Sequence, residues 1–203
     1  MNDELNNWFK ENVNGLEKVY LLHSDPRKQS GFSGSLYKWT KCRKIIADCM
    51  DKDGTFLDIG CANGYLLKSV IKWKNEEGIN IIPYGLDISG KLLELAKKNL
   101  QKYDKNFFHG NVYDWKPSIK FDYVRTELVY VPEDCRKRLI ERLLNQFVKK
   151  SGKLLICEYR SSKDNMNKPW IDSYIESSGY SIHEIKSGYL KGKELSRVVV
   201  ICH

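Results

Sequence analysis

Apolar positions in this chain follow two alternating spacings. Thr55-Phe56-Leu57-Asp58-Ile59 is a short apolar run that stops at Gly60, and it predicts a buried strand. Leu66, Leu67, Val70 and Ile71 then lie at helical spacing over residues 65–74. A second strand is predicted from Ile79 to Leu86, ending at Asp87. Ser89 reads as the N-cap of a helix whose apolar stripe is Leu92, Leu93, Ala96 and Leu100. Asn106–His109 and Phe121–Thr126 predict the third and fourth strands. Pro132, Glu133 and Asp134 suit a helix start, and Leu139, Ile140, Leu143, Leu144, Phe147 and Val148 carry that helix on one face. Lys149 and Lys150 suit its C-terminal end, and Gly152 stops it. Lys153–Tyr159 predicts a fifth strand and Pro169–Ser178 a short helix closed by Gly179. Tyr180–Lys186 and Leu195–Cys202 predict a final pair of strands.

Strand–helix alternation of this kind predicts an α/β fold, a doubly wound and mostly parallel sheet with helices on both faces. The last two strands have no helix between them, so they should run antiparallel. Residues 1–54 differ. Leu5, Trp8, Phe9, Leu16, Val19 and Tyr20 recur at helical spacing, with Asn14-Gly15 as a potential break. Leu36, Trp39, Arg43, Ile46, Ala47 and Met50 predict a second helix. The polar segment His23–Gly34 between them has the length of a lid or binding loop, and equally of a plain surface connection. We therefore expect residues 1–54 to be an N-terminal helical extension or lid of the same domain, and residues 55–203 the α/β domain proper.

Length and composition narrow the classes. A chain of 203 residues with 41% hydrophobic positions suits one domain and can bury a large core without disulfides or a metal. No apolar run approaches the roughly 20 residues that cross a bilayer. Asp3, Glu4 and Glu11, with no apolar stretch among them, do not resemble a signal peptide. These features predict a soluble cytoplasmic protein. The cysteines Cys42, Cys49, Cys61, Cys135, Cys157 and Cys202 are scattered, with no zinc-ligand spacing, and read mostly as buried reduced thiols. The formal net charge is +8, but residues 132–203 alone hold 14 basic and 9 acidic side chains. That excess fits an RNA or acidic partner, or only a compositional bias.

The candidate chemistry sits where the first strand turns into the first helix of the α/β part. Phe56-Leu57-Asp58-Ile59-Gly60-Cys61-Ala62-Asn63-Gly64 places glycines where the backbone turns tightly and approaches a ligand. The following helix start offers free N–H groups. A dinucleotide fingerprint would need G-x-G-x-x-G, whereas here Ala62 stands between Gly60 and Gly64. The pattern D-x-G-x-(G/A)-x-G resembles instead the first motif of class I, Rossmann-like S-adenosylmethionine-dependent methyltransferases. Tyr84-Gly85-Leu86-Asp87-Ile88-Ser89 is similar to the family's second motif, Gly110-Asn111-Val112-Tyr113-Asp114 to its third, and Phe121–Glu127 to its fourth strand.

The resemblance implies a seven-stranded sheet whose last strand is antiparallel, and S-adenosyl-L-methionine as cofactor with S-adenosyl-L-homocysteine as product. It implies cofactor contacts from Asp58, Gly60, Cys61, Ala62, Gly64, Asp87, Ile88, Asn111, Val112 and Arg125. Asp87 would take the ribose hydroxyls, or merely cap the helix beyond it. Asn111 stands where the family often has an acid, and its carbonyl would accept from the adenine amine. Glu127 and Tyr130 are the candidate catalytic residues, with Arg125, Tyr159 and Arg160 beside the acceptor. His23, Asp25 and Arg27 are further candidates in the loop. No Asp-Pro-Pro-Tyr-type tetrapeptide follows strand four; Arg125-Thr126-Glu127-Leu128 stands there. The expected acceptor is a small molecule; the alternative is an RNA methyltransferase or RNA-binding module using the basic C-terminal third, and no metal or membrane is expected.

Overall fold

A computed structural model describes residues 3–161 and 163–203. Its helices are α1 (Asp3–Tyr20), α2 (Leu36–Ala47), α3 (Tyr65–Glu76), α4 (Gly90–Asn99), α5 (Arg136–Gln146) and α6 (Ile171–Ser177). Its strands are β1 (Gly54–Ile59), β2 (Ile81–Asp87), β3 (Phe107–His109), β4 (Phe121–Thr126), β5 (Val148–Tyr159), β6 (Glu184–Leu190) and β7 (Lys193–Cys202). They form one seven-stranded sheet in the order β3-β2-β1-β4-β5-β7-β6. All neighbouring pairs are parallel except β5–β7 and β6–β7. The expected doubly wound sheet with an antiparallel last strand is therefore the fold observed.

Alternation along the strands splits the core. On β1, Phe56 points to a cluster with Trp39, Ile46, Leu67 and Val70 of α2 and α3. Leu57 and Ile59 join a second cluster with Leu139, Ile140 and Leu143 of α5. Burial on both faces explains why β1 reads as an almost unbroken apolar run. The chain order reverses between β1 and β4, and ligands in open α/β sheets sit at such a switch point, outside the carboxyl ends of the strands. Ser35 and Ser89 cap α2 and α4, each side chain accepting from a backbone N–H three residues on.

Three expectations shift. The helix expected through Val148 ends at Gln146, because Val148 pairs with Phe121 and begins β5. A bulge follows, with Ser151 at φ 65°, before regular pairing resumes at Lys153. Asn14-Gly15 does not break α1, which runs unbroken to Tyr20. Tyr180–His183 lies outside the strands; β6 starts at Glu184 and turns into β7 through Lys191 and Gly192, both left-handed at φ 51° and 76°. Cys42, Cys49, Cys61 and Cys157 are buried and free, Cys135 is half-buried and Cys202 is exposed.

Candidate active site

Three residues of the loop after β1 take left-handed conformations: Gly60 at φ 74°, Ala62 at 47° and Gly64 at 74°. Gly60 could not carry a side chain in any case, because a Cβ there would lie 2.6 Å from the Tyr130 ring. Gly64 starts α3 against α4, where its missing Cβ leaves room for Ala96. The loop is held from β2. Gly60 N–H donates to the Leu86 carbonyl at 2.8 Å, and Ala62 N–H donates to Asp87 Oδ2 at 2.7 Å. Ser89 N–H donates to Asp87 Oδ1 at 2.8 Å. Burial raises the Asp87 pKa, and these two backbone donors oppose the rise. Each carboxylate oxygen keeps a lone pair for a ligand hydroxyl.

Behind the loop lies a buried polar knot. Arg125 on β4 reaches Asp58 on β1 at 3.1 Å, the Tyr130 hydroxyl at 3.2 Å and the Tyr159 hydroxyl at 3.1 Å, and also bonds Glu127. Tyr130 donates to Glu127 Oε1 at 2.8 Å, the same oxygen that Arg125 meets. Burial lifts the Asp58 carboxyl to about 6 although Arg125 pulls it down. Burial likewise holds the phenol of Tyr130 and the thiol of Cys61 well above their ordinary values.

In front of the loop is a cavity of about 490 Å³ across the strand ends, a size typical of small-molecule sites. Gly60, Ala62, Asp87, Ile88, Asn111 and Val112 line one part of it, and Glu127, Val129, Tyr130 and Tyr159 another. Its roof is α1, which contributes Trp8, Phe9, Asn12, Val13, Leu16 and Tyr20. Glu17 fastens that roof to the start of α4. It accepts from the Ser89 hydroxyl at 2.7 Å and pairs with Lys91 at 2.9 Å. The polar loop is tied down as well, since Asn63 donates to the Pro26 carbonyl at 2.8 Å and to Gln29 at 3.2 Å.

The residues singled out from sequence thus divide. Gly60, Ala62, Asp87, Ile88, Asn111, Val112, Glu127 and Tyr130 border the large cavity. Asp58, Cys61 and Arg125 do not; they border a small recess of about 40 Å³ behind Gly60. Gly64 borders neither and serves the contact between α3 and α4. Arg125 spends its terminal Nη donors on protein groups while its buried Nε has no partner among the described residues, and Arg160 bonds Glu158 and the carbonyls of Lys168 and Pro169 away from the cavity. Asp25 and Arg27 pair with each other at 2.9 Å. Asn111 Oδ1 accepts from Tyr113 N–H at 2.9 Å, and its amide nitrogen is buried without a partner. Sequence reasoning missed the α1 side chains, Ser30, Gly31 and Arg43. For Arg43 a signal existed: a charge on the apolar stripe of α2.

A family model described as a methyltransferase domain matches residues 50–197, and the chain belongs to that family. It is a class I S-adenosylmethionine-dependent methyltransferase, with S-adenosylmethionine as its cofactor. Comparison with curated protein sequences gives no match. Among solved structures, the fold is similar to the Burkholderia thailandensis 1,6-didemethyltoxoflavin-N1-methyltransferase with bound 1,6-didemethyltoxoflavin and S-adenosylhomocysteine. That match has TM-score 0.70 at 11% identity and covers 98% of this chain and 89% of the other. It is similar to magnesium protoporphyrin IX methyltransferase from Synechocystis with bound S-adenosylmethionine, with TM-score 0.58, 17% identity and coverage of 88% and 90%. A third is a S-adenosylmethionine-dependent methyltransferase from Aquifex aeolicus, with TM-score 0.60, 16% identity and coverage of 92% and 97%. Among the described residues, no group of His, Cys, Asp and Glu could hold a metal ion, and no helix is long and apolar enough to cross a membrane.

Proposed function

We propose that this methyltransferase acts on a small molecule in the cytoplasm, with both ligands inside the cavity under α1. One observation carries the reading. The cavity runs without interruption from Asp87 and Asn111 to Glu127 and Tyr159, and a helix fastened by Glu17 lies across it. A roofed space of that size suits a compact acceptor better than a nucleic-acid strand. The similar structure with bound 1,6-didemethyltoxoflavin supports the same class.

When bound, the cofactor supplies an electrophilic methyl group on a sulfonium. The chain's residues bind, orient and exclude water. Asp87, held in place by Ala62 and Ser89 N–H groups, accepts from the ribose hydroxyls. Gly60, Ala62, Ile88 and Val112 let the backbone approach the nucleoside, while Asp58, Cys61 and Gly64 keep the loop in shape from behind. Asn111 lines the same part of the cavity; its Oδ1 accepts from Tyr113 N–H and keeps a second lone pair that would accept from the adenine amine, while its amide nitrogen is buried. Arg125 acts from behind as well, fixing Glu127 and the two tyrosine hydroxyls. Glu127 Oε1 is occupied by Arg125 and Tyr130, which leaves Oε2 to receive a hydrogen bond or proton from the acceptor. Alignment of the acceptor lone pair is the main task.

Calorimetry with S-adenosylhomocysteine tests the binding half. Asp87→Ala should weaken binding by about 1.5–3 kcal/mol, the range for hydrogen bonds to a charged group. Unchanged affinity would show that Asp87 only ties the loop to α4. Incubation of a cell extract with methyl-labelled cofactor tests the acceptor half: label should pass into the small-molecule fraction, and label confined to RNA would overturn the proposal.

A further inference from the structure

Arg43 on α2 stands out among the arginines that are not exposed. Arg27, Arg125, Arg136, Arg142, Arg160 and Arg197 each donate hydrogen bonds to protein oxygens. Arg138, which rests on the Tyr113 ring, is exposed. Arg43 is half-buried and, among the described residues, makes no hydrogen bond and no ion pair. It is held by aromatic rings instead. Its guanidinium carbon lies 3.3 Å from the Tyr159 ring centroid, 5.2 Å from Phe32 and 5.4 Å from Trp39. Stacking occupies the face of a guanidinium and leaves the N–H donors on its rim free. Arg43 lines both the large cavity and the recess behind Gly60. A partly desolvated cation with unused donors is costly unless a ligand supplies the acceptor.

The carboxylates bordering the cavity have partners other than Arg43. Asp87 holds two backbone N–H groups, and Glu127 holds Arg125 and Tyr130. Arg43 is therefore a cation at the wall without an ion-pair partner among the described residues, and Tyr20 lines the same cavity. We propose that Arg43 is a binding residue for a carboxylate carried into the cavity by a ligand. The matching chemistry is bidentate, a planar fork meeting two coplanar oxygens. The carboxylate comes either from the cofactor's amino-acid moiety or from the acceptor. The inference rests on the reading that the cavity holds both.

Calorimetry on the full chain separates the sources. The probes are S-adenosylhomocysteine, 5′-deoxy-5′-methylthioadenosine, which lacks the amino-acid carboxylate, and benzoate added to protein saturated with S-adenosylhomocysteine. Arg43→Gln should lower the affinity for a carboxylate-bearing probe by about tenfold or more and leave 5′-deoxy-5′-methylthioadenosine unchanged. A loss confined to S-adenosylhomocysteine assigns Arg43 to the cofactor; a loss confined to benzoate assigns it to the acceptor. Arg43→Lys, which keeps the charge without the fork, should recover part of the loss and guards against a folding defect in the glutamine variant. Wild-type binding of every probe by Arg43→Gln would overturn the proposal, and so would an equal loss for 5′-deoxy-5′-methylthioadenosine. Failure of the unaltered protein to bind S-adenosylhomocysteine would count against the functional reading itself, not against Arg43 alone.

Discussion

Asp58 shows how a single residue serves the loop without touching the large cavity. It is 1% exposed and meets Arg125, yet burial still lifts its carboxyl to about 6 from an ordinary 3.8. A carboxyl raised in the folded state adds stability below its unfolded value and loses that contribution as pH rises through its folded value. The contribution of Asp58 is therefore full below 3.8 and gone once pH has risen past about 6. Carbon-13 titration of the labelled side chain should give a midpoint near 6, and a midpoint at or below 4 would mean that Arg125 outweighs burial. Much at this scale was legible. Asp58, Gly60 and Asp87 stand out because a strand end, a tight turn and an acid follow one another in sequence. That Arg125 turns inward could not be read, because its partners Asp58 and Tyr159 are 67 and 34 residues away.

At the scale of elements, α1 is the helix of the segment expected as an extension or lid. Its apolar stripe reads plainly as a helix, but periodicity does not say what the stripe faces. Part of the answer is core: Phe9 is 6% exposed and packs near Tyr113. The rest faces the cavity, and Glu17 is the polar fastening. Lys91 is largely exposed, so this pair adds little to global stability. Glu17→Ala should lower overall stability by less than about 1 kcal/mol while speeding amide exchange along α1. S-Adenosylhomocysteine should slow that exchange in the unaltered protein. Exchange in α1 that responds to neither would remove the roof from the mechanism. The boundary between α5 and β5 was illegible for a different reason. Leu143, Leu144, Phe147 and Val148 suit a helical face, but Val148 also suits a strand, and its pairing with Phe121 decides.

For the whole molecule, the net charge of +8 is a poor guide to the partner. The tight basic cluster Arg136-Lys137-Arg138 lies at the start of α5, where Arg136 bonds the Leu128 carbonyl and Arg138 lies over the Tyr113 ring. A single-stranded RNA oligomer followed by fluorescence anisotropy should show only weak binding that fades between about 50 and 200 mM salt. Saturable binding that survives the higher salt would favour RNA as the acceptor. The doubly wound order was legible because strand and helix spacings alternate cleanly, and the hairpin at the end followed from the missing crossover helix.

The cavity walls have one more consequence, and it concerns folding. They come from positions as far apart in the chain as Trp8 and Tyr159, and the sheet that backs them is completed by β7 inserted between β5 and β6. Pairings at such separations carry a large loop-closure entropy and make folding slow. No subset of neighbouring elements owns a finished wall, so ligand affinity is a property of the fully folded chain. Ligand binding then stabilises the molecule globally in proportion to the logarithm of free ligand over its dissociation constant. The cofactor acts in this way as a late-arriving keystone for the fold as well as the source of the methyl group.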